Sequence, residues 1–505
     1  MKTDILVIGG GVAGLRCAEE ASKNADVILI SDGSGASPYI HGINIPLHAD
    51  DNVECFFNDT MKSGRYQNNT ALVKILCQSS LELVNEFCFD KKGNEYDLLK
   101  PLGSAYPRVA GIKGKTGISV IRSINGDSFT HLKKIRAVKL ICTDGKVHGA
   151  ACFNKVTGKH FVISAKAVVL ACGGFGNIFP YSTNTSDIGG DGIAMAYDIG
   201  AKLCDMEFIQ FEPSAAVFPE QLMGKSIITT MFYDGAVLRN GQNKRFTDER
   251  VDKDVLSVNI YNEIKNGSPT PHNGVYFDMT AVPLNTMLTK YKSYYDRYKS
   301  CGIDVSEEPV EITTMPHTTL GGVKINERCE TNIDGLFACG EVSGGLHGAN
   351  RLGGNAGLEV IVFGKLAGKA ASEYAGMVNA ADDVSDEFND RESLQTAEDK
   401  KILQKAVYNG LNVIRCEEEL TMALEIAGSL INKYKNAEND YNAVRLYNDS
   451  LTAYLSLMSA LKRKSSVGCH IRKDSASDGY AYTIDIIKNG NKPGIEKRLI
   501  NGYKR

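Results

Sequence analysis

The first 32 residues constrain this chain more than any other stretch. An apolar run, Ile5-Leu6-Val7-Ile8, meets the turn Gly9-Gly10-Gly11-Val12-Ala13-Gly14, an amphipathic segment follows from Val12 to Lys23, and a second apolar run closes at Ile30. That order reads as strand, tight turn, helix, strand: one βαβ unit. Gly9, Gly11 and Gly14 have the spacing GxGxxG at the strand-to-helix junction. There the first glycine permits the turn, the second lets the backbone approach a pyrophosphate, and the third lets helix and strand pack closely, with the helix N-terminus facing negative charge. The pattern predicts a dinucleotide site. An acid at the end of the second strand normally accepts the ribose hydroxyls. Ser31 stands at that position and Asp32 follows it, with two readings open for Asp32: ribose partner or turn residue.

At 505 residues the chain exceeds one hydrophobic core, so two or three domains are expected. Lys and Arg number 57 against 60 Asp and Glu, a formal charge of -3, and no polybasic run is present. Nucleic acid is thereby excluded as an expected partner. The run at Ile5–Ile8 is too short for a signal-peptide core and glycines interrupt it, so the expectation is a cytoplasmic chain without a membrane span. The 13 cysteines show no CxxC pair, which predicts reduced thiols and neither a metal site nor an iron–sulfur cage.

Further along, apolar residues recur at helical spacing from Thr70 to Phe89, and two β-rich runs between Ala137 and Ser164 flank the turn Thr143-Asp144-Gly145-Lys146. A strand at Ala167–Ala171 leads into a second glycine turn, Cys172-Gly173-Gly174-Phe175-Gly176. From Met206 to Pro316 the pattern is mixed, with a Tyr- and Lys-rich helix near Thr286–Lys299. An acidic linker is expected near 380–392, then helices to Ala460, then an irregular basic tail from Ser465.

The GxGxxG turn alone leaves NAD and FAD equally possible. Gly335-Leu336-Phe337-Ala338-Cys339-Gly340-Glu341 resembles the second FAD-contacting strand of the glutathione-reductase-like flavoproteins, and His347-Gly348-Ala349-Asn350-Arg351-Leu352-Gly353-Gly354-Asn355 is similar to the HGANRLGxN motif of the fumarate reductase, succinate dehydrogenase and L-aspartate oxidase flavoproteins. Ala167–Gly174 resembles that family's AVVLATGG, Gly190-Asp191-Gly192 with Met195-Ala196 its GDGxxMA, and Arg463, Ser466, Gly468, His470, Arg472 and Asp474 echo its RxESRGxHxRxD element. The resemblance implies an α/β fold: a glutathione-reductase-like Rossmann FAD-binding domain (1–205 and 326–380), an inserted α+β capping domain (206–325) and a C-terminal mainly helical domain (381–505). It also implies FAD as cofactor, held by Gly9, Gly11, Gly14, Ser31 or Asp32, Gly173, Gly174, Asp191 and Asn355, with Glu341 on the ribitol. Ala36 falls near the position where some members tether flavin through a histidine, so the flavin is expected to be non-covalent, with His41 the nearest alternative attachment.

In this family hydride passes between flavin N5 and a carbon beside a substrate carboxylate. The resemblance gives Arg351 and His317, the latter in His317-Thr318-Thr319-Leu320-Gly321-Gly322, as the carboxylate clamp, since a guanidinium fork matches carboxylate geometry. The family's proton-transfer arginine falls on Lys253 in the segment Lys244–Asp254, with Arg250 one helical turn away as the alternative. A lysine serves as acid or base if burial or a nearby cation lowers its pKa. Where the family's QFHP holds a histidine for the far carboxylate, Gln210-Phe211-Glu212-Pro213 has Glu212. A carboxylate there argues against a dicarboxylic substrate such as fumarate unless it is protonated or paired with Lys253. The expected function is reduction or formation of a C=C bond on a small carboxylate. The alternatives are an L-aspartate-oxidase-like amino acid oxidase and a flavin-bearing electron-transfer subunit. FAD is the one redox group expected in the chain, so its electrons are expected to be exchanged with a partner subunit, a soluble carrier or the second substrate, with oxygen as the acceptor in the oxidase reading.

Overall fold

The computed structural model describes residues 1–379, 384, 394–436, 440–475, 480–490 and 492–504. Strand Lys2–Ile8 lies between Val27–Ser31 and Lys159–Leu170, parallel to both. Ile5, Leu6 and Val7 are fully buried. A strand covered on both faces needs an apolar residue at every position, which is why this run does not alternate. Thr130–Lys133 extends the sheet beyond Val27–Ser31, and Leu336–Ala338 adds in parallel beside the end of Lys159–Leu170. The first half of that long strand instead pairs antiparallel with Lys146–Asn154, which continues to Ile135–Thr143. The strand expected at Ala167–Ala171 is thus the end of one that begins at Lys159.

Helices Val12–Ala21 and Asn355–Met377 cross closely on this sheet. A Cβ at Gly364 would fall 2.6 Å from the carbonyl oxygen of Ala13, and one at Gly368 would fall 2.4 Å from that of Cys17, so only glycine permits the approach.

The inserted segment builds a four-stranded antiparallel sheet in the order Ile209–Ala216, Val310–Thr319, Val275–Asp278, Val237–Arg239. It has its own apolar cluster, including Leu256, Phe277, Tyr298 and Ile312. Between its first two strands Gln210 faces Thr318 while Phe211 faces Pro316, so His317 is the extra residue of a bulge. Bulges re-aim a side chain, and this one turns an imidazole out of the ladder.

Three expectations change. The helical stretch from Thr70 stops at Ser79 and tightens into a 3-10 turn over Ser80–Val84. The helix near Thr286–Lys299 is two, Leu284–Thr289 and Lys292–Lys299, broken at Lys290-Tyr291. The tail is a hairpin, Tyr480–Asn489 with Lys492–Lys504, that docks on Leu203–Cys204. Its buried Tyr482, Ile484 and Ile486 share one face, with Thr483 and Asp485 between them, a two-residue period that a strand requires. Helices Ala397–Gly410, Glu417–Tyr434 and Tyr441–Lys462 precede it, as expected. The linker near 380–392, Val384 apart, lies outside the described residues.

Candidate active site

One cavity of about 690 Å³ runs from the glycine turn at Gly9–Gly11 to the inserted segment, where Glu212, Lys253, Arg297 and His317 line it, with Arg351. At the first end the backbone does the shaping. Gly9 has φ +129°, and a Cβ there would lie 2.1 Å from the carbonyl oxygen of Ala171. A Cβ on Gly14 would lie 1.9 Å from the carbonyl oxygen of Gly9, so Gly14, which does not line the cavity, acts through packing. The amide of Val12 donates to Ser37 Oγ at 2.8 Å, which shows its N–H directed out of the helix start toward the loop that roofs the cavity. Ser37 carries no motif around it, and sequence reading passed over it.

The acids at this end have partners of their own. Asp32 lines the cavity, but Arg136 holds its carboxylate at 2.8 Å and Lys155 holds it at 2.8 and 3.1 Å. Burial alone would raise its pKa; the two cations outweigh burial and lower it. Arg136 also pairs with Asp191, which accepts from Asn448 at 3.0 Å. Asp191 is likewise held below the usual carboxylate range, Arg136 and Arg445 overcoming its burial. Ser31 Oγ meets His131 Nε2 at 2.8 Å. Asp32 and Asp191 therefore anchor one ion-pair network that fixes the shape of this end.

Gly173 takes φ +76° in the second glycine turn and lines the cavity. Gly174 stands behind it. A Cβ there would lie 2.6 Å from Glu341 Oε1 and 2.1 Å from Thr319 Oγ1, so the glycine makes room for Glu341. The amide of Thr319 donates to Glu341 Oε1 at 3.0 Å. Burial raises the Glu341 carboxyl to about 7. Asn355 is fully buried outside the cavity lining, with its side chain tied to Asn44 at 2.6 Å and Thr60 at 3.2 Å. Its neighbours Gly353, Gly354, Ala356 and Gly357 line the cavity instead, at the start of helix Asn355–Met377.

At the other end side chains converge from separate elements. Lys253 Nζ, on the first turn of helix Lys253–Asn266, lies 2.6 Å from Glu212 Oε2. His317 Nε2 lies 3.7 Å from the same oxygen, and Ser214 Oγ donates to Glu212 Oε1 at 3.0 Å. Burial pushes Glu212 up, but the Lys253 ammonium, with the hydrogen bonds from Lys253 and Ser214, outweighs it, so the carboxyl lies below its ordinary value and is ionised. Burial pushes the His317 imidazole down to about 3, with Lys253 and Arg351 adding to that and Glu212 opposing it. His317 is thus neutral near pH 7, and its Nδ1 is within 2.7 Å of Thr183 Oγ1. Arg351 is 5% exposed and donates through Nη1 to the carbonyl of Leu352 at 3.4 Å. Its Nε has no hydrogen-bond partner among the described residues. A buried guanidinium N–H without an acceptor is costly, and a carboxylate from a ligand would satisfy it.

The two candidates for proton transfer separate. Lys253 lines the cavity. Arg250 does not: its guanidinium sits 5.6 Å from the Tyr233 ring centre and donates to the carbonyl of Phe232 at 3.4 Å. It precedes the helix start that orients Lys253, in a turn that faces away. Arg65 fixes that helix start by ion pairs to Asp252 at 2.8 Å and Asp254 at 2.6 Å. Arg297 lines the cavity from helix Lys292–Lys299, and nothing in its neighbourhood of tyrosines and lysines marks it in the sequence.

Glycine turns that no side chain can enter, a cavity reaching from them to a buried unsatisfied arginine, and an acid raised toward neutrality beside the second turn suit a bound dinucleotide with a reacting end. The FAD binding domain family matches residues 4–356, and the chain belongs to that family. It is 35% identical to an uncharacterized FAD-dependent oxidoreductase of Methanocaldococcus jannaschii, covering 98% of both chains, and 31% identical to one subunit of the fumarate reductase (CoM/CoB) of Methanothermobacter marburgensis, covering 96% of this chain and 97% of that one. An L-aspartate oxidase of Clostridium perfringens is 30% identical over 74% of this chain and 87% of its own. Among solved structures, the FrdA chain of E. coli quinol fumarate reductase superposes with a TM-score of 0.88 at 25% identity, over 100% of this chain and 97% of that one. The protein is an FAD-dependent oxidoreductase of the fumarate reductase and L-aspartate oxidase family. Among the described residues no helix is long and apolar enough to cross a membrane, and no cluster could hold a metal ion.

Proposed function

We propose that the enzyme reduces, or forms, a carbon–carbon double bond beside a substrate carboxylate. The unsatisfied Nε of buried Arg351, at the same cavity end as Lys253 and His317, is the observation that carries this reading. Bound FAD supplies or accepts the hydride. Arg351 binds and orients the carboxylate by a charge-assisted fork, with neutral His317, steadied by Thr183, beside it. Lys253 holds at Nζ the proton that the second carbon takes up in reduction, and Glu212 fixes that ammonium in place. Because Glu212 is committed to Lys253, the condition under which it fails to exclude a second carboxylate is met. The same commitment leaves it little capacity for the ammonium group that an amino acid oxidase would present.

FAD is held without a covalent bond on this reading, since Ala36 offers no nucleophile. Segments 1–205 and 326–380 carry it, 206–325 caps it, and 381–505 buttresses both. Electrons are exchanged with a partner subunit or soluble carrier; the Methanothermobacter marburgensis relative is by name one subunit of its enzyme. None of the 13 cysteines is bridged, which fits a reducing, cytoplasmic setting. The decisive experiment photoreduces the purified protein anaerobically and mixes it with unsaturated mono- and dicarboxylic acids, and separately with oxygen, while the flavin absorbance is followed. Rapid reoxidation by an unsaturated acid is expected. Rapid reoxidation by oxygen, with reduction of the oxidised protein by an amino acid, would instead establish an oxidase.

A further inference from the structure

We propose that the buried pair His347–Glu359 is a proton site linked to the flavin: it takes up one proton when bound FAD is reduced and gives it back on reoxidation. This needs bound FAD and is independent of which substrate the cavity takes. His347 opens the motif that ends at Asn355, and Glu359 lies near the start of helix Asn355–Met377. Their side chains are 5% and 4% exposed, and His347 Nε2 lies 2.9 Å from Glu359 Oε2. The other ring nitrogen, Nδ1, is buried with no hydrogen-bond partner among the described residues. A carboxylate only accepts, so Nε2 carries the ring proton and Nδ1 is left as a bare acceptor. A proton added there gives an imidazolium that already has Glu359 as its counter-ion.

Glu359 also lines the cavity, as do Glu341, Cys339 and Arg351. Its charge is felt by all three and by Cys329 behind them. Burial above all raises Glu341, and the Glu359 carboxylate adds to that; burial lowers Arg351, and Glu212, Glu341 and Glu359 oppose it. Burial raises the Cys329 thiol, and a hydrogen bond with Cys17 together with burial raises that of Cys339, so both thiols stay neutral. This wall therefore sets two carboxyls against one guanidinium. Reduction of FAD by two electrons with one proton adds a negative charge to the same enclosed space, where like charges repel strongly. A second proton from solvent, placed on Nδ1, cancels that charge, while the electrons come from the redox partner. Glu341 is less suited to the task. Its Oε1 already accepts from the Thr319 amide at 3.0 Å, and a carboxyl raised to about 7 is half protonated at neutral pH before any electron arrives.

The test follows the midpoint potential of the FAD-loaded protein by spectroelectrochemistry between pH 6 and 8. One proton per two electrons lowers the potential by about 30 mV per pH unit, and two protons lower it by about 59 mV. Wild type should follow the steeper slope around pH 7, and His347→Gln and Glu359→Gln the shallower one. Glu359→Asp, which keeps the carboxylate, should stay steep, and so should Glu341→Gln. A shallow wild-type slope would overturn the proposal. So would a steep slope in both His347→Gln and Glu359→Gln, which would put the second proton on the flavin, or flattening in Glu341→Gln alone, which would put it on that acid. A second reading needs no variant: in wild type carrying ring-labelled histidine, the reduced-minus-oxidised infrared spectrum should show imidazole bands replaced by imidazolium bands. Histidine bands that do not change on reduction would overturn the proposal equally.

Discussion

The two ends of the cavity are made in different ways. The glycine end is backbone: Gly9, Gly11 and Gly14 occupy six consecutive residues, and its chemistry follows from the absence of side chains. The far end is side chain: Glu212, Lys253, Arg297, His317 and Arg351 come from five elements spread over 140 residues of the inserted segment and its surroundings. Recognition by backbone tolerates no added atom at Gly9 or Gly14, while the ion pairs of Asp32 and Asp191 with Arg136 hold the surroundings in place. Recognition by side chains depends on every element arriving in register. It follows that the first end should fail completely under one steric change, while the second should lose one function at a time.

The largest effect is expected from Gly14→Val. Its branched side chain would collide with the Gly9 carbonyl, where even a Cβ sits at 1.9 Å, so the protein should purify without flavin and without activity. Absorbance near 450 nm per polypeptide measures this, and retention of full flavin would show that the turn can move. Next, Arg351→Ala should keep its flavin but lose about two to three orders of magnitude in kcat/KM for a carboxylate substrate. If flavin is lost with it, the two ends are not separable.

A finer division concerns Lys253 and Arg250. Lys253→Gln should lower kcat about a hundredfold with little change in KM, as removal of a positioned proton donor does. Arg250→Ala, outside the cavity, should change kcat by no more than about twofold. The opposite ranking would transfer the proton role to Arg250.

The smallest expected effect joins the two ends through Glu341. Its carboxyl is raised by burial from an ordinary 4.5 to about 7, so the folded protein binds more protons than the unfolded chain between those values. Stability of the flavin-free protein should therefore fall as pH rises from about 4.5 to 7, and stay lower above that. Glu341→Gln keeps the acceptor for the Thr319 amide and removes the ionisation. At pH 8 it should be more stable than wild type by on the order of 2 kcal/mol, the shift discounted for the open cavity, and the difference should vanish below pH 4.5. Thermal melts of both proteins across that range check the sign; a gap independent of pH would mean that Glu341 ionises freely.

The sequence by itself determined what depends on neighbours in the chain. The βαβ unit, both glycine turns and the long motif ending at Asn355 are contiguous, and sterics or hydrogen-bonding needs act over a few residues there. It also placed His317, Lys253, Glu212 and Arg351 in one site through the resemblance those motifs carry. Only the tertiary structure showed that Lys253 lines the cavity and Arg250 does not, because residues three apart at a helix start differ in which way they face, and the local pattern is silent on that. Only it showed Glu212 neutralised by Lys253, since a carboxylate's effect depends on an ammonium 41 residues away. The docking of the hairpin after residue 480 was hidden because the strand it joins, Leu203–Cys204, lies far back in the chain. Arg297 was invisible for the same reason: a cation on a basic helix becomes distinctive only when folding turns it into the cavity.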